Sequence, residues 1–407
     1  MKAKKELVGI VGAGPSGMIA ALEARKRGAE VFLFDSNPRV GRKLLATGAG
    51  RCNLSNAGAT AERYYCDDAD GLGKALSIFG PKQLVKYFEE LGIFTFSTPD
   101  GWYYPLTESA SNVVDILEAH LRASKVCLCM GVKICGLSLE ESGFCLSEAN
   151  IRRVYHVNRV IIATGGKASP ASGSDGQMFT VLEKLGHQVL PVLPALAPVL
   201  TEVKPIKGLR GVRLDAGVSL FANNKLLQST FGNIIFTEWG VNGPGVMDLS
   251  YLVSLNSHCY QEIEIDFLGA GEQLLRKLLE DARFKRLPAA VVFESVLPAR
   301  LVRLFMERVG LAGDVLLQDV SRGTVETLLR HLRHFRIAVR GTRSFDHSQL
   351  SIGGIPLQQV NPLNMESRLI RGLHFAGEVL NVAGPCGGYN LQWAFTSGYL
   401  AGKGMDG

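Results

Sequence analysis

The residues best suited to chemistry near the start of the chain are three glycines and one carboxylate. Gly12, Gly14 and Gly17 have the spacing GxGxxG, and Asp35 follows them. In such a turn the first glycine makes a tight bend, the second lets a pyrophosphate approach the backbone, and the third lets a helix pack on a strand. A carboxylate at Asp35 would bind ribose hydroxyls and repel a 2′-phosphate. The pattern therefore predicts binding of FAD or NAD rather than NADP.

The elements that must position these residues are predicted by the same stretch. The apolar run at 7–11 predicts a buried strand, a helix follows from Pro15 to about Arg27, and a second strand ends at Asp35. Pro15 is tolerated in the first helical turn, and the helix start offers unpaired amides and partial positive charge to phosphates. The strand, turn and helix context makes the glycine spacing far more specific than it would be alone.

Two later segments favour FAD over NAD. The stretch 159–166, RVIIATGG, predicts a buried strand, and 372–379, GLHFAGEV, predicts another that leads through a glycine-rich loop into a last helix. A helix start that faces a flavin stabilises the negative charge of its reduced form. Because no second GxGxxG occurs, a nicotinamide cofactor would have to dock transiently.

Composition and charge limit the class of protein. The chain has 407 residues, 46% hydrophobic and 20% charged, with a net charge of +6, as expected for an ordered globular protein of two or three domains. Its first twenty residues resemble a signal peptide, but the glycines fit the nucleotide turn better. The apolar run at 189–200 contains three prolines and is too short to span a bilayer. We expect a soluble, cytoplasmic protein with no membrane partner.

The spacing of the cysteines does not indicate a metal site. Eight cysteines lack the paired CxxC spacing of a zinc site, so reduced thiols and no metal site are expected.

Between Arg283 and Arg343 there are twelve Arg and Lys against five Asp and Glu, a local charge of +7. This excess is explained either by solvated amphipathic helices or by recognition of phosphate groups, which arginine suits well.

Seven motifs give the chain a resemblance to a known family. They run from residue 8 to 402 and include VGAGPSGMIAA, GRKLLATGAGRCNLSN, IIATGGKASPASGS and FAGEVLNVAGPCGGYNLQWAFTSGYLAG. The chain resembles the BaiN-like (YhiN-like) NAD(P)/FAD-dependent oxidoreductases, a family that includes aminoacetone oxidases. It departs from the family pattern in a shorter loop at Ser172–Gly176, in Asn381 where aspartate is usual, and in Cys386 where threonine is common. The short loop puts a role for Asp175 in doubt.

The resemblance implies an α/β fold with an interrupted cofactor domain. The FAD-binding Rossmann-like domain, of the two-dinucleotide-binding flavoprotein type, is expected at 1–190 and 345–407. The insert at 191–344 is expected to hold a small β-barrel and a helical subdomain at about 270–338. Strand-like patterns at 212–221 and 261–267 and three amphipathic helical patterns within 271–335 agree with this division.

The resemblance and the glycine-rich stretches together predict the site residues. Catalytic residues remain open, with Cys386, Glu238 and His347 as candidates for a thiol or a proton donor. The predicted cofactor-binding residues are Gly12, Ala13, Gly14, Pro15, Ser16, Gly17, Asp35, Ser36, Gly41, Arg42, Lys43, Gly50, Arg51, Cys52, Asn53, Val132, Ala163, Thr164, Gly165, Gly377, Glu378, Gly387, Gly388, Tyr389, Asn390 and Leu391.

The implied function is a reductase with non-covalent FAD. NAD(P)H would supply a hydride to the flavin, which would then reduce an unsaturated small molecule. The family leaves open reduction of uridine to dihydrouridine in ribosomal RNA and oxidation of a small amine such as aminoacetone. A FAD-binding protein without turnover is the rival of a different class. The expected partner is a small molecule or ribosomal RNA and not DNA, while the substrate and the oligomeric state stay undecided.

Overall fold

The computed structural model describes residues 6–405, which form two compact units. The first unit runs to Leu193 and resumes at Gln349, and the second spans Pro194–Ser348. Each unit has a hydrophobic core of its own. Among the residues described, none of the helices combines the length and the apolar character that crossing a membrane requires.

A five-stranded parallel sheet forms the centre of the first unit. The strands are nearly continuous apolar runs, as expected for a parallel sheet covered on both faces. Val11 lies beside both Phe34 and Ile162, so the carboxyl ends of three neighbouring strands meet at one edge. In spatial order the strands are Leu373–Phe375, Arg159–Ile162, Leu7–Val11, Glu30–Asp35 and Cys127–Met130.

Helices and further strands surround this sheet. A meander of three strands, Ile134–Glu140, Gly143–Glu148 and Val154–Val157, connects the edge of the sheet to the strand Arg159–Ile162. The other strands are Ser55–Asn56, Tyr65–Cys66, Thr95–Ser97, Trp102–Pro105, Leu190–Ala195, Leu350–Gly354 and Val382–Ala383. The helices are Pro15–Lys26, Arg42–Leu45, Ala69–Ile78, Pro81–Glu90, Ala110–Ala123, Gln177–Lys184 and Tyr389–Lys403.

The first helix (Pro15–Lys26) and the closing helix (Tyr389–Lys403) approach each other through glycine. A Cβ atom at Gly398 would lie 2.3 Å from the carbonyl oxygen of Ser16, and one at Gly402 would lie 2.4 Å from that of Ala20. Both distances are far below van der Waals contact, so only glycine allows this spacing. Because Ser16 meets Gly398 and Ala20 meets Gly402, the two helices run parallel.

The second unit is a closed six-stranded barrel with helices. Apolar side chains alternate with polar ones along its strands, as in Arg213–Ala222. In spatial order the barrel strands are Val199–Thr201, Gly240–Asn242, Lys225–Phe236, Arg213–Ala222, Gln261–Asp266 and Phe335–Thr342. The helices are Pro244–Met247, Ser250–Leu255, Gly271–Glu280, Ala289–Glu294, Ala299–Arg308 and Arg322–Arg333.

The expected end of the helical part, at about 338, is wrong. The last helix ends at Arg333, and a barrel strand begins at Phe335. Phe335 and Ile337 are buried while Arg336 between them is exposed, which is the period of a strand. The helical pattern and the strand pattern overlap here because Leu332 and Phe335 also have helical spacing.

The glycine contact between the two helices can be tested by one added methyl group. We expect Gly398→Ala to lower the free energy of unfolding by about 1–3 kcal/mol, because the backbone must move to admit the Cβ atom. Gly73→Ala is the matched control, since Gly73 lies within a helix, its added Cβ atom meets only ordinary contact at 3.8 Å, and alanine favours helix there. Thermal unfolding of both variants measures the difference. An equal or higher midpoint for Gly398→Ala would contradict the packing constraint.

Candidate functional site

A cleft lies at the carboxyl edge of the parallel sheet, where a doubly wound fold binds its ligands. It encloses about 1250 Å³, including the part open to solvent. The predicted cofactor residues that line it are Gly12, Gly14, Pro15, Ser16, Asp35, Ser36, Arg42, Lys43, Val132, Ala163, Thr164, Gly165, Gly377, Glu378 and Asn390.

The glycine turn has the three distinct environments that its spacing predicts. A Cβ atom on Gly12 would lie 2.3 Å from the carbonyl oxygen of Ala163, and one on Gly17 would lie 1.8 Å from that of Gly12. These two glycines are therefore needed for packing. Gly14 differs, because no atom lies within 4 Å of its added Cβ atom and it lines the cleft. It leaves bare backbone for a ligand.

Asp35 ends the second strand and is fixed by backbone and side-chain donors. One carboxylate oxygen accepts a hydrogen bond from the Ala13 amide at 2.7 Å. The other accepts from the amide and the side chain of Asn37, at 2.8 and 2.9 Å. The carboxylate is thus held at the cleft in one orientation, with lone pairs remaining for further donors.

The loop at 172–176, for which the sequence predicted no cofactor contact, forms one side of the cleft. Asn37 donates to the carbonyl oxygen of Ser172 at 2.9 Å, and Lys133 donates to Asp175 at 2.7 Å. Partial burial opposes ionisation of Asp175, but the hydrogen bonds from Lys133 and from the Gln177 amide outweigh it and lower the pKa of Asp175. Asp175 therefore has a defined partner despite the shortened loop.

Lys43 and Glu378 form an ion pair in the wall of the cleft. Lys43 Nζ lies 2.6 Å from Glu378 Oε2, and the other carboxylate oxygen accepts from the amide and hydroxyl of Ser351. The Glu378 side chain is 12% exposed, so its charge depends on these partners for compensation. The predicted cation at Lys43 is therefore balanced by a carboxylate.

The GRCN loop (Gly50–Asn53) and the GGYN turn (Gly387–Asn390) are joined by the strand after the GRCN loop. Asn56 donates to the carbonyl oxygen of Gly387 at 2.9 Å. A Cβ atom on Gly388 would lie 2.3 Å from the carbonyl oxygen of Ser55, so this contact also requires glycine. The two motifs that were predicted to flank the cofactor therefore pack against each other.

Several predicted residues support the cleft without lining it. They belong mainly to the GRCN loop, the GGYN turn and the packed glycines of the nucleotide turn. Outside the set of cleft-lining residues are Ala13, Gly17, Gly41, Gly50, Arg51, Cys52, Asn53, Gly387, Gly388, Tyr389 and Leu391. Lining residues that the sequence analysis did not single out include Asn37, Lys133, Ser172, Gln177, Gln349, Leu350 and Trp393. Ser172 and Trp393 lie in motifs that carry the family resemblance, whereas the others come from separate segments outside those motifs, so only the fold identifies them as cleft residues.

Arg51 and Cys52 are neighbours in the sequence with opposite environments. Arg51 is exposed, and its guanidinium carbon lies 4.5 Å from the centre of the Tyr104 ring. Cys52 is fully buried with a left-handed φ of 64°, and burial raises the pKa of its thiol to about 12. A thiol of this kind is almost entirely protonated near neutral pH, so Cys52 is a packing residue and not a nucleophile.

Two helix starts border the cleft. The first helix contributes Pro15 and Ser16 to the lining, and the closing helix contributes Asn390, Trp393 and Ala394. Within the described residues neither helix start receives a side-chain capping bond. Their first amides therefore remain available to a ligand, and both helix dipoles place partial positive charge there. An anionic or electron-accepting group is the chemistry that this edge favours.

The three candidate catalytic residues are not part of the cleft lining. Cys386 is half-buried in the loop before the closing helix. Glu238 is exposed and forms an ion pair with Arg210 at 2.9 Å. His347 is exposed and is hydrogen-bonded to Arg343. Glu238 and His347 both belong to the second unit, and their roles stay hypotheses.

Sequence comparison identifies relatives over the whole chain. A 3-dehydro-bile acid delta(4,6)-reductase from Clostridium scindens is 33% identical over 403 residues, which cover 97% of this chain and 98% of the relative. A ribosomal RNA dihydrouridine synthase from Haemophilus influenzae is 27% identical over 402 residues, 96% of each protein.

Solved structures agree at the level of the fold. A 3-ketosteroid-delta4-(5alpha)-dehydrogenase from Rhodococcus jostii, 14% identical, superposes with a TM-score of 0.51 over 99% of this chain and 98% of its own. The family model of the HI0933-like protein Rossmann domain matches residues 6–404. The resemblance and the fold class predicted from the motifs are therefore confirmed. The chain belongs to the HI0933-like Rossmann family of flavoprotein oxidoreductases.

Proposed function

We propose that this chain is a FAD-dependent reductase that saturates a carbon–carbon double bond conjugated to a carbonyl group in a small molecule. One hydride goes to the far carbon of the double bond and one proton to the near carbon, with NAD(P)H as the electron source. The observation that carries the proposal is the cleft bordered by the glycine turn and by two uncapped helix starts. A cytoplasmic location, where its eight cysteines remain reduced, is part of the same proposal.

The residues of the cleft fit FAD by their donor set. Gly14 and the first helix offer bare backbone and amides to a pyrophosphate. Asp35, held by Ala13 and Asn37, offers its remaining lone pairs to ribose hydroxyls. The start of the closing helix, which begins at Tyr389, would stabilise negative charge on the ring system. When bound, FAD supplies the two-electron redox chemistry.

The choice of a conjugated double bond rests on chemistry that the relatives share. A 3-dehydro-bile acid with delta(4,6) unsaturation and a uridine base both have a double bond conjugated to a carbonyl group. Conjugation lets the negative charge that follows hydride addition spread onto the carbonyl oxygen. An isolated double bond offers no such stabilisation. We therefore infer this substrate class, whichever molecule carries it.

Ribosomal RNA is the second candidate substrate. Relatives from Haemophilus influenzae and Escherichia coli that are 27% and 28% identical carry the name ribosomal RNA dihydrouridine synthase. The +7 charge window at 283–343 was the feature of this chain that favoured RNA. The barrel weakens that argument, because acidic residues from neighbouring elements offset several of its arginines.

The ion pairs on the barrel show where this acidic charge comes from. Arg336 pairs with Glu262 and Glu264, which lie on the adjacent strand. Arg333 lies 3.2 Å from Glu272, and Arg340 pairs with Glu202. None of these carboxylates lies within 283–343, so the window overstates the positive charge of this surface. A small molecule is therefore the first choice of substrate.

The assignment of the cleft to FAD is tested by Gly14→Val. The backbone at Gly14, with φ of −73° and ψ of −175°, suits valine, and nearby protein atoms leave room for its Cβ atom. We expect an unchanged thermal midpoint for the FAD-free protein and a loss of FAD affinity of about 10-fold or more. Gly14→Ala, with a smaller side chain, should have a smaller effect. Full retention of FAD by Gly14→Val would contradict the assignment.

The substrate class is tested by reoxidation of the reduced enzyme. NADH or NADPH should bleach the flavin absorption in the absence of air, and a 3-oxo-4-ene bile acid should then restore it while being converted to its saturated product. The saturated 3-oxo bile acid is the matched control and should restore nothing. Failure of both nicotinamides to bleach the flavin, with peroxide formed from aminoacetone and oxygen, would support the amine oxidase instead.

The RNA alternative is tested in a strain that lacks the gene. We expect the dihydrouridine content of its ribosomal RNA to match that of the parent strain. Loss of a dihydrouridine at a defined position, restored by the wild-type gene but not by the Gly14→Val variant, would make RNA the substrate. That result would overturn the small-molecule proposal and leave the FAD assignment intact.

A further inference from the structure

Three potential metal ligands meet on the outer face of the meander. This surface trio consists of Glu140, Cys145 and His156, and its ligand atoms all lie within 4.8 Å of one another. His156 Nδ1 is 2.8 Å from a carboxylate oxygen of Glu140. Cys145 is half-buried, whereas the other two residues are exposed. The trio lies outside the set of residues that line the cleft.

The register of the three strands holds the trio together. His156 is directly opposite Cys145 in the antiparallel ladder. Cys145 is also opposite Ser138 on the strand Ile134–Glu140, and Ser138 lies two residues before Glu140. Phe144 and Leu146 on either side of Cys145 are buried, so the thiol must face away from the core. The backbones of the three strands therefore already bring the trio together. A bound ion would only have to select the side-chain rotamers that point all three ligand atoms at it.

We infer that the surface trio is a binding site for a zinc ion, with a water molecule as the fourth ligand. Thiolate, imidazole and carboxylate are the three ligand types that zinc combines in proteins. Bond lengths of about 2.0–2.3 Å place tetrahedral ligand atoms about 3.3–3.6 Å apart. The hydrogen bond between His156 and Glu140 needs to lengthen by about half an ångström to reach that range. Zinc replaces the proton of the hydrogen bond between His156 and Glu140, and it also replaces the thiol proton of Cys145.

A bound zinc would link all three strands of the meander by side chains. Glu140, Cys145 and His156 each come from a different strand, so one ion would join the strands that connect two parts of the parallel sheet. The site stabilises the folded protein increasingly as the zinc concentration rises above the dissociation constant, because the unfolded chain does not hold the trio together. Its affinity rises with pH, because protons leave as zinc binds.

Cobalt and zinc titrations of the purified, tag-free protein test this inference. Co²⁺ should give one equivalent of thiolate-to-cobalt charge transfer, and Zn²⁺ should displace it. Cys145→Ser should weaken binding by more than about 100-fold, since loss of a direct ligand costs at least as much as loss of an outer-shell partner. His156→Ala should act in the same way. Cys135→Ser is the matched control, because Cys135 lies on the same strand as Glu140 but outside the trio.

Thermal unfolding supplies the second readout. Zinc should raise the midpoint of the wild type and of Cys135→Ser and leave that of Cys145→Ser unchanged. Cys127 and Cys129, whose sulfur atoms are 3.8 Å apart on an edge strand, provide the competing explanation for thiolate binding. A cobalt signal that survives Cys145→Ser and disappears in Cys127→Ser would overturn the inference, as would the absence of any thiolate signal in the wild type.

Discussion

The close approach of two helix backbones is the constraint on which the first unit depends. Gly398 and Gly402 let the closing helix lie against Ser16 and Ala20 of the first helix, and Gly17 lets the first helix lie against the glycine turn. Each contact is made by a carbonyl oxygen at a distance that leaves no room for a Cβ atom. As a result, the first helix and the closing helix begin beside one cleft. The amides at neither helix start are capped by a side chain.

The cleft combines rigid charge placement with exposed backbone. Asp35 and Glu378 are held by two or more donors each, so their carboxylates are oriented before any ligand arrives. Gly14 adds bare backbone beside them. Preorganised dipoles of this kind favour a ligand whose charge changes during a reaction, because no reorganisation is needed when the charge develops. The fixed charges and dipoles of the cleft therefore suit the redox chemistry of the family, in which the charge of the bound group changes.

Local patterns in the sequence were sufficient for the glycine turn and for Asp35, because each depends on neighbours within one βαβ unit. The interrupted fold depends on the whole chain, and it was predicted from the family resemblance and not from local patterns. For Asn37, Lys133 and Gln177 no local pattern predicts a place at the cleft, since that place results from long-range packing. The net charge of the surface that includes 283–343 depends on long-range packing for a related reason. The carboxylates that offset Arg336 lie more than seventy residues earlier in the chain and become neighbours only when the barrel closes.

The interrupted first unit has a consequence for how the chain folds during synthesis. The ribosome must complete the 155 residues of Pro194–Ser348 before it makes the closing helix. Until then Met18 and Ile19, fully buried in the finished protein, belong to a helix whose main partner does not yet exist. The apolar face of this helix is prone to aggregation until the closing helix has been synthesised. The barrel has a hydrophobic core made of its own residues, so the unit that is completed last contains residues that are synthesised before the barrel.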